Sequence, residues 1–168
     1  MPKKRAAAEA FMWCGNPDKW AGSGPMDGYI AHASQYVYWS TPPRQCRHDE
    51  IEVGKRAYIW RTASRSNPRG IIAIGTVAER PRQYSPNSKL RFARPDRLDV
   101  GEEAASSQWK TGISIFEVRL RIQTGMLTAE ELERITPRLN VLKNPRSTLF
   151  RVDAEQQRQI EAMWKIKN

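Results

Sequence analysis

The sequence predicts an α+β fold, a small mixed β-barrel with peripheral helices. Three observations carry that expectation. Short segments with two-residue periodicity recur from Phe11 to Gln123, helix signals stand at the margins with both capping boxes near the C-terminus, and glycines sit in the strands and turns where a barrel needs curvature.

In order along the chain, Phe11 to Cys14 is a short aromatic strand that stops at Gly15, Asn16 and Pro17. Lys19 to Ser34 is glycine-rich, and Asp27 is a cap for a short helix holding Tyr29 and Ile30. The stretch Tyr36 to Arg44, YVYWSTPPR, ends a strand at Trp39 against the double proline Pro42-Pro43. A charged loop, Arg44 to Glu52, leads to a tight turn at Val53-Gly54-Lys55. In Arg56 to Thr62 the residues Arg56, Tyr58 and Trp60 alternate with Ala57, Ile59 and Arg61. Ser64 to Gly70 is a hairpin loop into Ile71 to Ala78, an apolar strand interrupted by Gly75.

Arg80 to Arg97 carries six basic residues, one acid (Asp96) and Pro81, Pro86 and Pro95, which exclude a regular helix. With Gly101 to Gln108 it makes about thirty residues of unpatterned loop, a length that marks a functional or mobile segment. From Ser114 to Gln123 strict alternation returns, with Phe116, Val118, Leu120 and Ile122 on the core face and Glu117, Arg119 and Arg121 outside. Thr128 with Glu131 is a capping box that opens a helix toward Pro137. Asp153 with Gln156 opens the last helix, whose Ile160, Met163 and Trp164 form a core-facing stripe.

The 168 residues form one domain, 11–168, after a flexible basic leader over 1–10. Six Trp, five Tyr and four Phe supply a core despite a mean hydropathy of −0.70. The net charge is +10, with 17 basic and 9 acidic side chains up to residue 100, a field that suits a polyanion. Cys14 and Cys46 are expected as reduced thiols, and no apolar run approaches the ~18 residues of a membrane span, so the reading is soluble and cytoplasmic.

Catalytic chemistry finds few candidates. His32 and His48 lack the spacing of a metal site and read as surface histidines. Asp49, Glu50 and Glu52 read as a solvated cluster, and no phosphate loop, nucleophile elbow or dinucleotide fingerprint occurs. No metal or cofactor is expected and the chain reads as a binding module. Aromatics at strand ends beside arginines suit a stacked, unpaired base with neutralised phosphates. Trp13, Trp39, Trp60 and Trp109 lie at or near strand ends, Trp60 and Trp164 being core and Trp39 and Trp109 the ones among polar neighbours. The backbone-contacting cations are Arg44, Arg65, Arg69, Arg82, Arg91 and Lys110.

Taken jointly and in order, FMWCGNPDKW, YVYWSTP, IEVGKRAYIWRT, GIIAIGTVAERP and NPRSTLFRV resemble an EVE domain, of the PUA-like superfamily that also holds YTH and ASCH domains. The resemblance spans nearly all of the chain after its first ten residues. It implies a PUA-like barrel with a pocket at the mouth and a modified base flipped into an aromatic cage, methylated or hydroxymethylated, in DNA ahead of RNA. The implied pocket is Asn16, Trp39, Ser40, Thr41 and Trp109, to which the strand-end reading adds Trp13, with Arg146 on a phosphate. Cys14-Gly15 replaces a lysine-serine pair common in such domains, and Glu103 to Ser106, where a third cage aromatic belongs, holds none. The implied partners are nucleic acid and a restriction or RNA-modification protein. The alternatives are an RNA-binding or RNA-processing accessory module without base preference, and a small-molecule-binding or enzymatic PUA-like domain.

Overall fold

The computed structural model describes residues 8–17, 26, 30–31, 36–44, 46–62, 68–84, 108–144 and 147–167. The strands are β1 Ala10–Gly15, β2 Tyr36–Ser40, β3 Arg56–Arg61, β4 Gly70–Tyr84, β5 Gln108–Val118, β6 Leu127–Thr128 and β7 Leu149–Val152. They form one sheet in the order β2-β5-β4-β3-β1-β7, with β6 beside β4. The interior pair β1 and β3 is parallel and the other pairings are antiparallel.

A parallel pair needs cover on both faces, and this one has it. Phe11, Trp13, Ala57 and Ile59 point into one core with Val37, Trp39, Ile113 and Ile115. Ala10, Met12, Tyr58 and Trp60 point into a second core under the helix Ala154–Ile166, where Ile160 and Trp164 are buried and Met163 packs at the edge. That is why residues 56–61 alternate chemically yet are nearly all buried. Both capping boxes form, but the helix opened by Thr128 covers only Ala129–Leu132 and stops short of Pro137. Among the described residues no helix is long and apolar enough to cross a membrane.

The ladder is an open sheet, which corrects the expected barrel: among the described residues its end strands β2 and β7 do not pair. Register shifts interrupt its ladder where β4 pairs with β3 and with β5. At Gly75 a Cβ would lie 2.0 Å from the Ser114 carbonyl oxygen, so β5 approaches as closely as it does only because that residue is glycine. Side chains then bridge the gap that the ladder leaves, with the Trp39 Nε1–H donating to the Cys14 carbonyl at 3.2 Å.

Two strands differ from the sequence reading. β4 runs on through residues assigned to a loop, pairing Arg82 with Lys110 and Gln83 with Trp109, while Pro81 sits in a bulge where no ladder donor is needed. In β5 the pairing passes from Ile74–Glu117 to Gly75–Ile115, so Phe116 is the extra, bulged residue and is 61% exposed. Past the bulge Val118 and Leu120 pack against the first core as alternation expects, but Arg119 on the other face, expected outside, is 3% exposed because the C-terminal helix covers it. Its guanidinium lies 4.0 Å over the Trp164 ring, donates to the Trp164 carbonyl at 2.8 Å and pairs with Glu117 at 2.7 Å. Ile122, expected on the core face, is 52% exposed in a 3-10 turn past the end of the strand. The segment 85–107 and the capping and first residues of the short helix expected around 27–29 lie outside the described residues, as do His32 and most of the leader.

Candidate functional site

Three strand ends converge on one residue, Thr41. β2 ends at Ser40 because Pro42 and Pro43 cannot continue the ladder. The β2–β5 register sets Trp39 opposite Thr111 and Ser40 opposite Lys110. One residue on, the Thr41 amide donates to the Trp109 carbonyl at 2.8 Å. The Thr41 hydroxyl lies 3.2 Å from Trp13 Nε1, 2.6 Å from the Thr111 hydroxyl and 3.0 Å from the Trp39 carbonyl.

Proton accounting fixes the directions. An indole N–H can only donate and a carbonyl can only accept, so Thr41 accepts from Trp13, gives its single proton to Trp39 and accepts from Thr111. All its capacity is used in a spot with no solvent, since Thr41 and Thr111 are both fully buried. β1 reaches the same place through Gly15, where a Cβ would stand 2.8 Å from Trp39 Cζ2 and 2.2 Å from Met26 Sδ. Only a residue without a side chain lets the indole lie across the strand end.

His48, read from the sequence as a surface residue, belongs to this cluster. Its Nε2 is 2.9 Å from the Thr41 carbonyl and its ring centroid 4.6 Å from that of Trp109, tilted by 50°. The carbonyl accepts only, so Nε2 carries a proton. The loop that presents it is less solvated than its acids suggested: Cys46 and Ile51 are buried in the first core, and Glu50 pairs with Arg151 at 2.6 Å. Burial pushes the Cys14 thiol up, and raises Cys46 as well against the pull of Arg151, so neither is poised as a nucleophile.

The site residues expected from the sequence divide by exposure. Trp13 and Trp39, expected as pocket walls, are 0% and 4% exposed, because both rings pack in the first core. With Thr41 they make a buried floor. Asn16, Trp109 and Lys110 are half-buried and Ser40 is exposed, so these four carry the accessible chemistry at the strand ends. Arg82 stands opposite Lys110 across the ladder, and Arg44 is exposed just after the proline turn. Arg69 is exposed where β4 begins, its carbonyl accepting from the Ala129 amide at 3.0 Å. Arg65, Arg91 and Arg146 lie outside the described residues, as does the stretch 103–106. Sequence reasoning missed His48 and Thr111. Thr111 follows Trp109 at strand spacing and was legible in principle, whereas nothing local marks His48.

No protein-family model and no curated protein matches the sequence. Solved structures do match over nearly the whole chain. A hypothetical protein from Leishmania major is similar with a TM-score of 0.59 at 13% identity, over 95% of this chain and 96% of that one. The human THYN1 protein, in a structure in complex with 5-methylcytosine containing DNA, gives 0.58 at 11% identity, over 93% and 97%. An ASCH protein from Zymomonas mobilis gives 0.53 at 12% identity, over 92% and 97%. At these identities the likeness is one of fold: the chain shares the fold of the THYN1 and ASCH structures, in line with the resemblance read from its sequence.

Proposed function

We propose that this chain is a binding module that reads a modified base in nucleic acid, DNA ahead of RNA, without chemistry of its own. The observation that carries the reading is the convergence of three strand ends on Thr41. Around that buried hydroxyl, whose bonds are all used, Trp109 and Lys110 at the start of β5 and Asn16 just after β1 are half-buried and Ser40 at the end of β2 is exposed, which supports these four as the residues that meet a base. The fold shared with a protein solved on 5-methylcytosine containing DNA, and the net charge of +10, support the same reading.

The energies are adequate. Extruding a base costs a few kcal/mol. Stacking on Trp109 returns ~1–3 kcal/mol, polar contacts from Asn16 and Ser40 offset unpaired base edges, and Lys110, Arg82 and Arg44 meet phosphates. A buried methyl group adds only ~1 kcal/mol, so selectivity of about tenfold is expected unless the unmodified base also strands a polar group. Any cleavage or editing then belongs to a companion protein of restriction or RNA-modification type.

The test is fluorescence titration with short single- and double-stranded oligonucleotides that differ in one base, 5-methylcytosine or N6-methyladenine against the unmodified form. Trp109→Ala is expected to weaken binding of the modified strand at least tenfold. Equal binding of modified and unmodified strands, unchanged by Trp109→Ala, would sink the reading. The charge favours a second reading, an RNA-binding accessory module, and steep salt dependence with no base preference is its signature.

A further inference from the structure

We infer that His48 is a positioning residue for Trp109, a role that rests on the base-reading function proposed above. A stacking platform is useful only if its ring is already held where the base arrives. The backbone of Trp109 is fixed, since its carbonyl accepts from the Thr41 amide, but that bond leaves the side-chain torsions free. The imidazole of His48, 4.6 Å away centroid to centroid and tilted, supplies a restraint on the ring itself.

His48 is suited to that because it is itself held. Its ring N–H is committed to the Thr41 carbonyl at 2.9 Å, its own carbonyl accepts from the Ile51 amide at 3.2 Å, and the turn is anchored by buried Cys46 and Ile51 and by the Glu50–Arg151 pair. Thr41 therefore grips Trp109 twice, directly through the backbone and indirectly through His48. The imidazole also packs against part of the indole, so a base stacks on the surface His48 leaves open. In the sequence no aromatic fills the third cage position; here a histidine from another loop stands against the cage indole.

Freezing a free tryptophan on binding weakens affinity by about two- to tenfold, which is the effect expected of removing His48. The contact is read without nucleic acid by fluorine NMR of protein labelled with 5-fluorotryptophan, the Trp109 resonance being assigned by its loss in Trp109→Phe. In His48→Ala that resonance is expected to shift and average toward the free value while those of Trp13, Trp60 and Trp164 stay in place. Affinity for a DNA oligonucleotide carrying one 5-methylcytosine is expected to fall two- to tenfold in His48→Ala and to recover in His48→Phe, which restores a ring against the indole. Should His48→Ala fail to fold, His48→Gln keeps an N–H for Thr41, lacks the ring and carries the same expectation. Unchanged affinity in a folded His48→Ala or His48→Gln protein, with binding lost in Trp109→Ala, overturns the positioning role and leaves the base-reading function standing. If the wild type binds modified and unmodified strands alike and Trp109→Ala changes neither, the base-reading function falls and this role with it.

Discussion

Thr41 shows how much a single hydroxyl can organise. Its side chain joins Trp13 on β1, Thr111 on β5 and the Trp39 carbonyl on β2. Thr41→Val keeps the shape but leaves the Trp13 N–H and the Thr111 hydroxyl without this partner, at a cost of about 1–3 kcal/mol. Thr41→Ser retains the hydroxyl and is expected to lose less than about 1 kcal/mol, and urea unfolding distinguishes the two. The sequence could name Trp39, Thr41 and Trp109 because each stands at a strand end among polar neighbours. It could not say which faced solvent. An aromatic at the end of a curled strand looks the same whether it turns into the core or out of it, and the Trp13–Thr41 contact that decides the matter joins residues 28 apart in sequence.

At the scale of elements, the strands and both helix caps were legible, because periodicity and capping are local properties. The bulges were not. In β5 one extra residue pushes Phe116 out of the core stripe while Val118 and Leu120 keep to it, and a pattern of alternating residues carries no mark of where the count slips. The consequence is testable in a pair of substitutions. Phe116→Ser, which simple alternation would make a core-breaking change of about 3–5 kcal/mol, is expected to stay within about 0.5 kcal/mol of wild type. Arg119→Ala, which alternation would call a surface change, removes a buried guanidinium that ties Glu117, Gly125 and the last turn of the C-terminal helix together. It is expected to cost about 3 kcal/mol or more, read by thermal or chemical denaturation.

For the whole molecule, part of the stability rests on bonds that tie the sheet and the short helix to the C-terminal helix and its end, and some of these groups titrate. Burial acts to raise Glu117 and Glu131, but hydrogen bonds from Arg119 and Trp164 to the one, and from Lys167 and Thr128 to the other, hold both below the ordinary glutamate value. Groups depressed in the folded state bind protons more readily when unfolded, so their contribution is present above the ordinary glutamate pKa and lost as pH falls through the folded values. The reverse holds for Tyr58, whose hydroxyl is pushed up by burial and by Glu161 beside it; its contribution is present below the ordinary tyrosine pKa and lost as pH rises past it. Melting temperature is therefore expected to form a plateau at neutral pH that drops at both ends. In Glu117→Gln the acid limb should flatten while the alkaline limb stays.

The parallel placement of β1 has a further consequence, for the time course of synthesis. One side of that strand pairs with residues 56–61, but the other waits for residues 149–152. A chain growing on the ribosome thus carries Phe11, Met12 and Trp13 with one hydrogen-bonding edge open until synthesis has reached β7. Completion of that edge waits on β7, and a message truncated before Leu149 would release a protein in which β1 keeps an adhesive edge.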